Sequence, residues 1–213
     1  MSIVGVIPCA GRSTRMGTSK ALLRAGGDTF LGAAVRLLRE GGCDEVRVVH
    51  RAEQADEARV ARDAGAATVV NPHPEEGPIT SLRTALAGAG PDWEAVVFLP
   101  VDHPRVRPDT VAGLIAAFRR TGAPLVVPAY AGRRGHPPLF ATALFGELTH
   151  PELEGGARTV VRRHAQEAVL LEVDDPGVLM DVDTPEDFTR AFAAGDDAPA
   201  DPTPERRGRP LPS

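Results

Sequence analysis

Cysteine, tryptophan and tyrosine are scarce in this chain, at two, one and one in 213 residues, and each scarcity removes a class of chemistry. Cys9 and Cys43 have no C-x-x-C partner and no histidine at zinc spacing, so neither a disulfide framework nor a structural metal centre is indicated. Aromatic residues make up 4%, too few for the stacking platforms that hold single-stranded nucleic acid. Basic residues are outnumbered 24 to 29, and a pI near 5.7 argues against an extended DNA- or RNA-binding face. No apolar run approaches the length of a membrane span, and the N-terminus enters a strand-like segment without a basic region followed by an apolar one. The expected location is the cytoplasm, with neither nucleic acid nor membrane as partner.

The remaining composition, 42% hydrophobic and 25% charged, is that of a globular chain long enough for one substantial core. Strand-like runs (3–7, 46–50, 67–70, 95–99, 125–128 and 169–173) alternate with helix-period segments (30–40, 55–64, 79–87, 108–119, 157–164 and 185–193). That alternation predicts a single α/β domain, Rossmann-like and three-layered, with a mainly parallel sheet over residues 1–194. Residues 195–213, rich in proline and nearly devoid of large apolar side chains, are expected to form a disordered tail. The run 129–140, AYAGRRGHPPLF, interrupts the alternation and offers room for a substrate-binding excursion.

The first chemistry-bearing segment is IVGVIPCAGRSTRMGTSK, residues 3–20. A buried strand ends in a loop where Gly11 and Gly17 permit close backbone approach, and Arg12, Arg15, Lys20 and Arg24 gather before the first acid, Asp28. Local charge opposes the formal net charge of -5, as a polyphosphate cradle requires. The spacing fits neither a G-x-G-x-x-G dinucleotide fingerprint nor a Walker loop. A second element, Asp102-His103-Pro104, follows the buried run AVVFLPV and so falls at the carboxyl end of a strand, where open parallel sheets bind ligands. A third is MDVDTPED, residues 180–187, in which Asp181 and Asp183 share a face if extended while Thr184, Pro185 and Asp187 start a helix.

Together these elements resemble the small nucleotidyltransferases, the nearest group being the molybdenum cofactor cytidylyltransferases and their relatives the molybdopterin-guanine dinucleotide synthases. The resemblance implies the nucleotide-diphospho-sugar transferase fold. It also implies a loop of Cys9, Ala10, Gly11, Arg12, Ser13, Arg15 and Lys20 around a nucleoside triphosphate, with Arg15, Lys20 and Asp102 serving catalysis. Mg²⁺, with Mn²⁺ as a substitute, is expected on Asp102 with Asp181, or Asp183 in its place. Asn71, Gly77 and Ser81 lie in NPHPEEGPITSLRTAL, which resembles the segment closing over the base; Ser81-Leu82-Arg83 and Cys9-Ala10-Gly11 lean towards CTP over GTP. GRRGHPPLF, residues 132–140, resembles the acceptor-side element and places Arg134 and His136 against a phosphorylated small molecule. The implied reaction transfers NMP to that acceptor, molybdopterin or a sugar, polyol or phospholactate-type phosphate, with release of pyrophosphate; a molybdoenzyme could receive the product. A non-catalytic nucleotide-binding maturation factor is the alternative of another class. His50, His73, His103, His150 and His164 are expected to be structural or surface residues.

Overall fold

The computed structural model describes residues 1–11 and 19–192. The predicted Arg12, Ser13 and Arg15 contacts, Gly17 and the expected tail at 195–213 therefore lie outside the described residues.

The chain begins with β1 (Ser2–Pro8), a small hairpin of β2 (Arg24–Ala25) and β3 (Asp28–Thr29), and α1 (Phe30–Glu40). Next come β4 (Glu45–His50), α2 (Ala55–Asp63), β5 (Ala67–Val70), α3 (Ile79–Ala87), β6 (Trp93–Phe98) and α4 (Pro108–Thr121). The second half holds β7 (Leu125–Tyr130), β8 (Arg133–Arg134), β9 (Leu139–Ala141), α5 (Phe145–Thr149), α6 (Ala157–Arg163), β10 (Val169–Glu172) and α7 (Pro185–Phe192).

The main sheet runs β10-β7-β9-β6-β1-β4-β5, with β8 paired to β7. Its β5-β4-β1-β6 half is parallel, with Val4 to Pro8 facing Glu45 to Val49 on one side and Ile3 to Val6 facing Ala95 to Phe98 on the other. The chain moves outward from β1 to β5 and then returns to β6 on the other flank of β1. That reversal makes the carboxyl ends of β1 and β6 the switch point where doubly wound sheets bind ligands. Pro8 to Gly11 and Leu99 to Asp102 both issue from it.

The run at 129–140 departs from a simple loop excursion. It forms β8 and β9, and β9 wedges antiparallel between β6 and β7, pairing Leu139 with Val97 and Val126. Leu139 and Phe140 are buried there because they complete opposite faces of the sheet.

Alternation along β1 sorts the core into two layers. Ile3 and Ile7 pack with Leu31, Val35, Leu38, Ala61 and Leu114, whereas Val4 and Val6 pack with Leu82, Leu86, Leu148 and Val160. Helices thus cover both faces, as a buried parallel sheet requires. Gly5 lets α1 approach, since a Cβ there would stand 2.8 Å from Leu38 Cδ1. Local signals set the helix ends. Thr29 Oγ1 accepts the Gly32 N–H at 3.0 Å, and Gly122, with φ at +63°, stops α4. Asp187 and Thr184 cap α7 reciprocally, at 3.0 and 3.2 Å. Phe188 and Phe192 of α7 pack on Phe30, anchoring the segment that carries Asp181 and Asp183. No helix among the described residues is long and apolar enough to cross a membrane.

Candidate functional site

Two cavities open beside each other over the switch point. The first, about 470 Å³, is walled by Pro8 to Gly11, Ser19 to Ala21, Arg51, Ser81 and Pro100 to Asp102. The second, about 910 Å³, has an apolar floor of Val127, Phe140 and Val161 with Arg134, His136 and Arg158 at its wall. Gly77, Pro78 and Phe98 line both. Gly77 adopts φ of +105°, a backbone state that residues with a Cβ rarely take.

Of the residues expected around a nucleotide, Cys9, Ala10, Gly11, Lys20, Gly77 and Ser81 reach the first cavity together with Asp102. Asn71 stands behind the wall: its Nδ2 donates to Thr80 Oγ1 at 2.8 Å and Ser81 Oγ at 3.3 Å, and its Oδ1 accepts the His73 N–H at 3.0 Å. That buried amide holds the start of α3 in place. Arg83 is tied to the His150 carbonyl at 2.6 Å and lines neither cavity. Burial, with a smaller contribution from Glu57, pushes the Cys9 thiol up to about 12, so it packs as an inert group.

Asp102 is held from several sides. Its Oδ1 lies 2.9 Å from His103 Nδ1, and its carbonyl accepts the Val182 N–H at 2.8 Å, which brings the 180–187 segment alongside. Burial works to raise its carboxyl pKa. The hydrogen bond from His103, the fields of His103 and Lys20 and, last, an interaction with His136 that arises only in acid outweigh burial, and the net shift is downward. Asp102 is therefore ionised at neutral pH, and the bonded His103 Nδ1 carries a proton. Asp183, two residues beyond exposed Asp181, pairs with Lys20. The Lys20 ammonium thus sits on one carboxylate and within the field of the other.

His136 joins this group from the acceptor-side element. Its ring lies 4.5 Å from that of His103, centroid to centroid, and its buried Nδ1 has no hydrogen-bond partner among the described residues. Burial first, and the neighbouring His103 second, lower its pKa to about 4, so it is neutral at pH 7. Gly135 makes the placement possible: a Cβ there would be 2.4 Å from the Val178 carbonyl oxygen, whose partner is the His136 N–H at 2.8 Å. His103, expected as a structural or surface residue, contacts both Asp102 and His136. Arg51 and the Phe98 wall were not singled out by sequence reasoning, although Arg51 follows a strand at its ligand-binding edge.

An open, mainly parallel sheet with Gly11, Lys20 and Asp102 at its central switch point has the Rossmann-like fold of the nucleotide-diphospho-sugar transferase type. The profile of the MobA-like NTP transferase domain matches residues 5–169, and the chain belongs to that family of nucleotidyltransferases. A relative from Opitutus terrae named probable molybdenum cofactor guanylyltransferase is 35% identical over 122 residues, covering 56% of this chain and 57% of that protein. A 2-C-methyl-D-erythritol 4-phosphate cytidylyltransferase from Saccharopolyspora erythraea is 37% identical over 136 residues, covering 60% and 59%. The chain thus spans somewhat over half the length of these curated relatives. Among solved structures, Rv0371c of Mycobacterium tuberculosis superposes with a TM-score of 0.78 at 33% identity, covering 91% of this chain and 98% of that one. A second structure of Rv0371c is a complex with manganese, with a TM-score of 0.71 at 30% identity and coverage of 92% and 100%.

Proposed function

We propose that this protein transfers a nucleotidyl group from a nucleoside triphosphate, CTP in preference to GTP, to a phosphorylated small molecule of the molybdopterin kind, releasing pyrophosphate. The observation that carries this reading is the pair of cavities meeting at Gly77, Pro78 and Phe98, with Asp102 on the wall of one and His136 on the wall of the other. Two substrates seated in them meet beside the ionised carboxylate.

The triphosphate is held by Lys20, with Arg15 assigned to the same duty, and the base lies towards Cys9, Ala10 and Ser81. Arg134 and His136 orient the acceptor phosphate, whose oxygen attacks the α-phosphorus in line as pyrophosphate departs. A phosphate oxygen is already ionised near neutral pH, so no general base is needed and the residues act by positioning and electrostatics. Asp102 and Asp183 supply the oxygen ligands that Mg²⁺ or Mn²⁺ prefers; Asp183 takes precedence over Asp181 because it is the one beside Lys20. A bound divalent cation would offset charge on the phosphate oxygens.

The acceptor assignment draws on the relatives named molybdenum cofactor guanylyltransferase and on cavity size. A volume of about 910 Å³ with an apolar floor suits a large ring-bearing acceptor. The similarity to a cytidylyltransferase named for 2-C-methyl-D-erythritol 4-phosphate supports a second reading, a polyol phosphate. Pyrophosphate release from CTP and GTP, each with both acceptor types, separates these readings. Turnover with CTP and a molybdopterin-type acceptor supports the first; equal or greater use of GTP removes the cytidylyl preference, and turnover with the polyol phosphate alone removes the acceptor assignment.

A further inference from the structure

Among the described residues, Arg51 is the one cationic side chain of the first cavity that the proposed mechanism leaves without a task. It follows β4 directly, and β4 flanks β1 on the side opposite β6, the strand that leads to Asp102. The reacting phosphates belong near Lys20 and Asp102, so the far end of the nucleotide, its base, extends towards β4.

Arg51 is fixed there by an interlocked set of hydrogen bonds. Its Nε donates to the Ala10 carbonyl at 2.6 Å, while its own N–H is accepted by Gln54 Oε1 at 2.7 Å and its carbonyl accepts from His50 Nδ1 at 2.7 Å. Gln54 Nε2 donates to the Cys9 carbonyl and to Glu57 Oε1, both at 3.1 Å, and Glu57 is only 6% exposed. The side chain of Arg51 is 11% exposed, and its Nη1 lies 3.9 Å from the exposed Glu53 carboxylate, beyond hydrogen-bond length. A planar fork of donors therefore stands at the cavity wall with its orientation set by Nε.

Resting on the nucleotidyl-transfer reading, we infer that Arg51 determines base specificity by donating to a ring carbonyl oxygen, admitting cytosine, uracil, guanine or hypoxanthine and rejecting adenine. The chemistry is that of a guanidinium, which pairs with a carbonyl acceptor and has nothing to accept from an exocyclic amine. Gln54 is a positioning residue for the same loop, because it holds the Cys9 carbonyl and the Arg51 backbone without reaching the cavity wall.

The test is calorimetric binding of CTP, GTP, ITP and ATP with Mg²⁺ and no acceptor, on the full chain and on Arg51→Gln, Arg51→Lys and Gln54→Ala. ITP and ATP are matched in size and differ at the carbonyl in question. The intact protein should bind CTP, GTP and ITP at least about tenfold tighter than ATP, the value of a charge-assisted hydrogen bond. Arg51→Gln should weaken the three carbonyl-bearing nucleotides by about ten- to a hundredfold and ATP by less than about threefold. Arg51→Lys keeps the charge but loses the fork, so it should show the same selectivity and serves if the glutamine variant fails to fold. Gln54→Ala should weaken all four alike. Equal loss across the four nucleotides in both Arg51 variants would make Arg51 a phosphate contact or a mere loop clamp, and unselective binding by the intact protein would overturn the inference outright. Failure to bind any nucleoside triphosphate would instead overturn the nucleotidyl-transfer reading, and this inference with it.

Discussion

Replacing Asp102 with asparagine tests the centre of the proposed chemistry with little change of shape. Asparagine is nearly isosteric, and the Val182 N–H bond survives because its acceptor is the Asp102 backbone carbonyl. Two opposed changes affect the fold. The neutral amide relieves the cost of burying a carboxylate, while the charge-assisted bond from His103, of about 1.5–3 kcal/mol, is lost. Their difference is on the order of 1 kcal/mol, a melting shift of about 2–4 °C for a domain of this size. Because the folded carboxyl pKa is lowered, Asp102 contributes stability above the ordinary aspartate range that is lost as pH falls, and the variant should lack that acid dependence. Turnover has no such offset. Removing the charge that would hold a divalent cation beside the reacting phosphates should cost about 3 kcal/mol or more of transition-state stabilisation, a hundredfold or greater loss. Matched measurements of kcat by pyrophosphate release and of Tm by calorimetry decide the matter. A folded Asp102→Asn protein with near-normal kcat would reduce Asp102 to a strand-end residue.

Three other perturbations address neighbouring parts. His136→Gln should raise the acceptor KM about tenfold with NTP affinity unchanged; because the folded His136 pKa is about 4 against an ordinary 6.5, intact protein should also lose up to about 3 kcal/mol between pH 6.5 and 4 that the variant keeps. Parallel pH–stability curves for the two proteins would contradict the buried neutral imidazole. Gly177→Ala would place a Cβ 2.1 Å from the Arg105 carbonyl oxygen, an overlap with backbone that should cost about 3 kcal/mol and lower Tm by roughly 6–12 °C; a melt within about 2 °C of the parent would show that the 176–179 turn yields freely. Cys9 and Cys43, both pushed up to about 12 by burial first, should be thiolate to only about one part in ten thousand at pH 8 and resist iodoacetamide, which mass spectrometry of the native protein reads directly.

Much of the architecture is legible in the chain because the responsible signals are local. The helix over 30–40 has the predicted bounds, since Thr29 caps it and the Gly41-Gly42 pair ends it. The helix start at Thr184-Pro185 is similarly written in four consecutive side chains. β9 shows the limit of that information. Three residues carry too little periodicity to announce a strand, and its neighbours β6 and β7 are chosen by long-range pairing, with Leu139 completing a layer made by residues from β1, α1 and α4.

The same division runs through the site. Lys20 and Asp102 could be named because each sits in a compact motif at a strand end, a position with chemical meaning by itself. Asn71 also stood in such a motif, yet its amide closes hydrogen bonds to Thr80, Ser81 and His73, a role set by how the loop folds back. His103 and His136 are 33 positions apart and carry opposite expectations from local context; only the wedging of β9 and the 176–179 turn brings their rings together beside Asp102. Arg51 is separated by 41 positions from the Ala10 carbonyl it holds, and its only local mark is its place just after a strand end. What unites Arg51, His103 and His136 is that each acts across adjacent strands of the switch point. A parallel sheet makes such partners by register, placing Val49 beside Pro8, so that Arg51 and Ala10 emerge two residues later on the same edge. The loops that follow β1, β4 and β6 therefore meet in space in an order set by strand pairing, and the chemistry of the site resides in that order as much as in any motif.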